Sequence, residues 1–251
     1  MLNNNAYVLS HNGIGDNITM IGAINYLLSH YNNVYLLCKD KYYDNIRMIY
    51  DESITIIPFD YKNEKQACIN ILQPKYLDTD TDIYICGCHK NYLKNKINNP
   101  KCNVDSDISL KWSHIQQFYN DMNLNLDIYY KYFDIKNSST SLKLYNDIKH
   151  LNIIFCHTQA STNKININNF INPYLQNDEF IVICSNENLY SNEHKYHMLV
   201  NCYVDLMICH YIDIIKQAYK IFIIDSCFAC IVYPLELSKN LNANEIIYFE
   251  R

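Results

Sequence analysis

The chain has 251 residues, a formal net charge of −5 and a hydrophobic fraction of 49%. That length suits one large domain or two of about 120 residues each, and the negative charge argues against nonspecific nucleic-acid binding. No apolar run reaches the roughly 18 residues of a membrane span. The opening Met1-Leu2-Asn3-Asn4-Asn5 is polar and unlike a signal peptide. The 11 cysteines follow no regular spacing, and several sit in apolar runs. They read as reduced, buried thiols, and the expected location is the cytoplasm. Abundant Asn, Ile, Tyr and Lys suit an AT-rich coding sequence such as that of a virus or parasite.

The first strand is predicted over residues 6–10. It runs into His11-Asn12-Gly13-Ile14-Gly15-Asp16-Asn17. Two of the chain's four glycines stand here. Glycine admits positive φ and close backbone approach to a ligand, and a helix start offers free N–H groups. Ile18, Ile21, Ile24, Leu27 and Leu28 then recur at helical spacing. Strands follow at 34–38, at 54–57 (ending at Pro58) and at 83–86, with helices at 43–50 and 64–72 between them. Strands alternating with helices predict a parallel sheet. Residues 88–113 are polar and unassigned, and 114–122 read as a helix. Residues 129–135 read as a strand or an extended linker. Asn137-Ser138-Ser139-Thr140-Ser141 has linker composition, which places the domain boundary at 140/141.

A second series begins with a strand at 152–156 and a polar loop, His157 to Lys164. Strands follow at 180–184, 204–208, 220–224 and 246–249, with a helix at 211–219. Asp225-Ser226-Cys227 stands where the next helix should begin, and Asp or Ser is favoured at an N-cap. The predicted fold is α/β: two Rossmann-like domains, residues 1–140 and 141–251, with parallel sheets facing a cleft. Ligands of such sheets sit at the carboxyl ends of strands. The loops at 13–17, 157–164, 185–188 and 225–227 all fall there.

Gly13-Ile14-Gly15-Asp16 resembles the N-terminal signature of GT-B glycosyltransferases of family 9, the ADP-heptose heptosyltransferase type. The segment His157-Thr158-Gln159-Ala160-Ser161-Thr162-Asn163-Lys164 resembles that family's second-domain loop, and Ile223-Ile224-Asp225-Ser226-Cys227 its strand-to-helix donor loop. The resemblance implies an inverting, metal-independent glycosyltransferase with no cofactor. A nucleotide-sugar would be the donor substrate and a glycan or glycoconjugate hydroxyl the acceptor. Asp16 would be the general base, with His11, Asn12, Gly13, Gly15 and Asn17 lining the acceptor side. His157, Thr158, Lys164, Ser185, Glu187, Asp225, Ser226 and Cys227 would hold the donor. Physical chemistry agrees on one point: a lysine and backbone N–H groups can stabilise a leaving diphosphate without a metal. This chain departs from the family's usual pattern. Cys227 replaces a Gly, Cys230 replaces a His, and Ile165-Asn166 stands where Trp-Pro is common.

Other readings stand beside it. Asp16 could simply cap its helix, and Lys164 could be an ordinary solvated lysine. Asp78-Thr79-Asp80-Thr81-Asp82 has the carboxylate spacing of a divalent-metal motif, but it precedes a strand and reads as a turn. Cys86-Gly87-Cys88-His89 with Cys102 lacks the paired spacing of structural zinc sites. His194 and His197 stand close in sequence. Rival functions are a nucleotide-sugar epimerase or hydrolase of the same fold, and a non-catalytic, degenerate glycosyltransferase that acts as a binding module.

Overall fold

A computed structural model of the protein describes residues 3–10, 13–87 and 113–250. The chain divides into two compact units, Met1–Ile135 and Lys136–Arg251. Each unit carries one four-stranded sheet, and every strand pairing in them is parallel.

In the first unit β1 (Asn3–Leu9), β2 (Tyr31–Lys39), β3 (Ile54–Phe59) and β4 (Thr81–Ile85) stand in the order β3-β2-β1-β4. β1 is central, and Ala6, Val8 and Leu9 are fully buried, which explains its continuous apolar run. The strand starts earlier than its apolar residues because asparagines pair across it. Asn32 Nδ2 donates to Asn4 Oδ1 at 2.9 Å, and Asn33 Nδ2 to Asn5 Oδ1 at 3.1 Å. β3 continues through Pro58 to Phe59 instead of ending there. It lies at the sheet edge, where a missing N–H costs no ladder bond on the open side.

The helical run after β1 is two helices, α1 (Ile14–Thr19) and α2 (Ile21–Leu28), divided at Met20. α3 (Tyr43–Ile49) and α4 (Glu64–Leu72) follow β2 and β3. α5 (Ser113–Asp121) is followed by α6 (Ile128–Lys131), a single helical turn where a strand or linker was predicted. Its carbonyls lie against α2. A Cβ added at Gly22 would stand 2.5 Å from Tyr129 O and 2.6 Å from Ile128 O.

The predicted linker is folded. Ser138 Oγ accepts from Ser141 N at 3.0 Å and so caps α7 (Ser139–Ile148). Asn137 Nδ2 donates to Asp213 Oδ1 at 2.9 Å, and Ser138 Oγ lies 2.7 Å from His210 Nδ1. This polar stretch therefore belongs to the second unit, whose composition alone had suggested a tether.

In the second unit β5 (Asn152–His157), β6 (Phe180–Cys184), β7 (Lys220–Ile224) and β8 (Glu245–Phe249) stand in the order β6-β5-β7-β8. Ile153, Ile154, Phe155 and Cys156 are buried, as are Ile181 to Cys184 and Ile221 to Ile224. Helices α8 (Asn168–Leu175), α9 (His197–Asn201), α10 (Ile212–Gln217) and α11 (Ala229–Leu237) connect them. The strand predicted at 204–208 does not form. Asp205 takes a left-handed φ of 55°, which breaks an extended run, and its N–H bonds to Ser185 O at 2.8 Å. Tyr190 covers the β6 edge, its hydroxyl accepting from Val182 N at 2.9 Å. Among the described residues no helix is long and apolar enough to cross a membrane.

Candidate functional site

The sequence-predicted residues fall at the carboxyl ends of strands in two groups, one in each unit. In the first unit they follow β1. Gly13 is extended (φ −115°, ψ 173°) and precedes α1. A Cβ there would meet Asp16 Oδ2 at an ordinary 3.4 Å, so the argument from positive φ does not hold at Gly13. Gly87, after β4, is the glycine with a left-handed φ, 64°. Asp16 turns its carboxylate back on the helix start, Oδ2 accepting from Gly13 N at 2.7 Å. Asp16 is therefore not the N-cap, which is Gly13; it stands at the third helical position and reaches back to the N-cap N–H, a bond that uses one carboxylate oxygen of two. Gly15 lies within α1, its carbonyl accepting from Thr19 Oγ1 at 3.0 Å. Asn17 is buried, and its Nδ2 donates to Gly13 O at 2.8 Å. Its Oδ1, and the hydroxyl of Ser10 beside the loop, are buried without a hydrogen-bond partner among the described residues. His11 and Asn12 lie outside the described residues.

In the second unit the loops after β5 and β6 form one network. His157 Nδ1 lies 2.6 Å from Ser185 Oγ. Thr158 N donates to Asn186 Oδ1 at 3.0 Å, and Thr158 Oγ1 donates to Glu187 Oε1 at 2.8 Å. Gln159 and Lys164 pair as an antiparallel bridge. The hairpin closes with Ala160 N on Asn163 O at 2.8 Å and Ile165 N on Thr158 O at 2.9 Å. This brings Lys164 Nζ to Glu187 Oε2 at 2.6 Å. His157, Thr158, Lys164, Ser185 and Glu187, spread over 31 positions by sequence number, thus become one polar cluster. The loop after β7 joins it through Phe228, whose ring centroid is 4.6 Å from that of His157.

Burial pushes His157 down to about 4, against a backbone hydrogen bond to Gln159 that works the other way, so the imidazole is neutral near pH 7. Burial alone would raise Glu187. The hydrogen bonds from Lys164 and Thr158 outweigh it and hold the carboxyl below its ordinary value. Asp225 and Ser226 do not cap α11, which begins at Ala229 after Phe228 with no side-chain cap. They form the preceding turn instead. Asp225 N donates to Phe249 O at 3.0 Å, and the hydroxyl of Ser226, a buried residue, has no partner among the described residues. Cys227 lies half-buried in the same turn.

Three groups that hold loops at the carboxyl ends of strands were not singled out in the sequence. Asn186 bridges the loops after β5 and β6, and it lay inside a segment already singled out. Tyr211 is buried, its hydroxyl 2.7 Å from Tyr203 O and 3.2 Å from Ser185 O. Asp121, at the end of α5, is buried and accepts from Gly87 N at 2.8 Å. Tyr211 and Asp121 act over long sequence distances and had no local signal.

The metal readings meet other uses for the same groups. Asp78 accepts from Asp80 N and Thr81 Oγ1 in the turn before β4. His194 stacks on Tyr190 with centroids 4.3 Å apart, and His197 Nδ1 lies 3.1 Å from Tyr190 O. Cys88, His89 and Cys102 lie outside the described residues. No group of three or more His, Cys, Asp or Glu among the described residues could hold a metal ion.

Neither a protein-family model nor a curated protein sequence matches the chain. Solved structures do. The glycosyl transferase family 9 protein of Veillonella parvula matches with a TM-score of 0.63 at 10% identity, over 100% of this chain and 88% of its own. The ADP-heptose heptosyltransferase II of E. coli matches at 0.60 and 9% identity, over 98% of this chain and 90% of its own. A further E. coli heptosyltransferase, solved with ADP, matches at 0.51 and 8% identity. The chain has the GT-B fold. The three matches place both units, with their parallel sheets, within that fold. Identities of 8–10% carry the GT-B likeness no further than the fold. All three proteins are bacterial, and nothing in the comparisons supports a viral source for this chain.

Proposed function

We infer that this chain is an inverting glycosyltransferase that moves a sugar from a nucleotide-sugar to a hydroxyl of a glycan or glycoconjugate. The observation that carries the reading is the cluster of His157, Thr158, Lys164, Ser185 and Glu187 at the carboxyl ends of β5 and β6, in a chain of GT-B fold. The second unit holds the donor. Lys164 and the turn at 225–227 stand by its diphosphate, and the Ser226 hydroxyl has no partner among the described residues. The first unit holds the acceptor. The acceptor oxygen forms a bond to the anomeric carbon while the bond from that carbon to the diphosphate breaks. The nucleoside diphosphate leaves with the electron pair. The acceptor proton passes to Asp16, a base needing only hydrogen-bond reach. Charge on the departing diphosphate is matched by Lys164, so the reaction uses no metal and no cofactor. The nine described cysteines are all free, which suits a reducing, cytoplasmic setting.

A second reading keeps the binding and drops the chemistry. Its support is that Asp16 already bonds Gly13 N and Lys164 already bonds Glu187, while Cys227 and Cys230 stand at positions where the resembled family has Gly and His. Thermal shift with ADP-heptose, ADP-glucose, UDP-glucose and UDP-N-acetylglucosamine separates the two, followed by assay of nucleotide release with and without glycan acceptors. Acceptor-dependent release that Asp16→Asn abolishes supports the transferase. Stabilisation without release, unchanged by Asp16→Ala, supports the binding module. Isomerisation of the sugar without transfer would make the chain an epimerase, and no stabilisation by any nucleotide removes the donor assignment.

A further inference from the structure

α1 has six residues, too few to be a stable helix alone. Its last carbonyls run short of helical partners: Asn17 O shares the C-cap N–H of Met20 at 3.2 Å, and both Asn17 O and Thr19 O accept from buried phenols of other elements. Tyr50, directly after α3, donates to Asn17 O at 2.5 Å. Tyr119, on α5, donates to Thr19 O at 3.1 Å. The Tyr119 hydroxyl also accepts from Ala23 N at 3.1 Å. In an unbroken helix Ala23 N would bond to Thr19 O directly. The phenol is thus inserted into the ladder at the one place where the run divides into α1 and α2, an identifiable cause of a helix break. Gly22 makes room for it, since a Cβ there would stand 2.9 Å from the Tyr119 hydroxyl. Both phenols are essentially inaccessible to solvent. Burial raises both well above the ordinary tyrosine value, so each keeps its proton to donate at any working pH.

We propose that Tyr119 and Tyr50 are positioning residues for Asp16, clamping the C-terminal end of α1 at its break from α2 so that the carboxylate three residues before Thr19 is held at the end of β1. The proposal rests on the reading of Asp16 as the base. Neither tyrosine touches substrate in this scheme. They act through α1, and they leave the second unit's donor loops alone.

The test uses Tyr119→Phe and Tyr50→Phe in the full chain, each of which removes a hydroxyl and keeps the ring. Hydrogen–deuterium exchange comes first because it needs no substrate. Protection over residues 17–20 should fall by about ten-fold or more in each variant, while residues 24–28 keep theirs. Unchanged protection over 17–20 in both variants overturns the clamp. Steady-state assay then uses whichever of ADP-heptose, ADP-glucose, UDP-glucose or UDP-N-acetylglucosamine supports turnover. kcat should drop by about ten- to hundred-fold, with the donor Kd unchanged. A merely structural role would lower stability and leave kcat per folded molecule as it was, and that result overturns the positioning claim. Asp16→Asn is the control. If it turns over like the wild type, the base assignment fails and the clamp's catalytic consequence falls with it. If it is inactive while both tyrosine variants keep full kcat, only the clamp is wrong.

Discussion

Lys164 and Glu187 meet at 2.6 Å, although they are 23 positions apart and sit on loops that follow two different strands. Glu187 is also held by Thr158, so the carboxylate is fixed from the strand side and the lysine reaches it from the hairpin. The Lys164 side chain is 54% exposed, and an exposed pair of this kind contributes only about 0–1 kcal/mol to stability. In the proposed transfer reaction its value lies elsewhere, in holding a cation on the loop assigned to the donor diphosphate.

Lys164→Met should therefore cost under about 1 kcal/mol of stability in urea titration. The same change should weaken nucleotide-sugar binding by about ten-fold or more in calorimetry, the effect of losing a charge-assisted hydrogen bond. Equal affinity in wild type and variant would remove Lys164 from the donor site.

His157 gives the second unit an acid sensitivity. Its folded-state value, about 4, lies below its ordinary 6.5 because burial disfavours the charged ring. The sign follows: the unfolded chain binds the proton more readily. Stability is intact above about pH 6.5 and is lost as pH falls toward 4, by about 3 kcal/mol from this group. Glu187, held below its ordinary value, adds a loss in the same direction at lower pH. Urea midpoints followed by circular dichroism between pH 7 and 4 should fall in the wild type and fall less in His157→Gln. Parallel curves would show that His157 does not carry the effect.

Gly22 and Gly13 should respond differently to an added methyl group. Gly22→Ala drives a Cβ to 2.5 Å from a backbone carbonyl that a side-chain movement cannot clear. It should cost about 1–3 kcal/mol or more and lower the Tm accordingly. Gly13→Ala meets only Asp16 Oδ2 at 3.4 Å and should leave the Tm nearly unchanged. Equal losses in calorimetric scans would contradict the packing of α6 against α2.

Asp16 has a structural and a proposed chemical role, and two substitutions divide them. Asp16→Asn keeps an acceptor for Gly13 N, whereas Asp16→Ala removes that capping-box hydrogen bond at a cost of about 1 kcal/mol. Both should reduce transfer by about 10²- to 10⁴-fold, the usual contribution of a general base. Activity in Asp16→Asn with loss only in Asp16→Ala would leave Asp16 as a cap.

Most strands were legible because buried parallel strands demand apolar runs whatever surrounds them. The runs at 152–156, 180–184 and 220–224 read directly as β5, β6 and β7. Errors came where side chains satisfy backbone. Asn4 and Asn5 look like loop residues and are strand because asparagines across the sheet pair with them. Ser138 and its neighbours look like a tether and are a helix cap. Residues 204–208 look like a strand, but Asp205 turns left-handed and Tyr211 holds the loop from five residues beyond Leu206.

The sequence by itself determined two αβ units and put Asp16, His157, Lys164, Glu187 and Asp225 at or just beyond the carboxyl ends of strands, because each apolar run that reads as a strand stops where these polar residues begin. Tertiary structure alone decided which of them meet. The order β6-β5-β7-β8 sets the loops after β5 and β6 side by side, and so joins His157 to Ser185 and Lys164 to Glu187. The break between α1 and α2 was likewise invisible, since its cause is a hydroxyl about 100 residues away in Tyr119. Local pattern carries hydrophobic periodicity, whereas a hydrogen bond between distant residues depends on where the folded chain brings both ends.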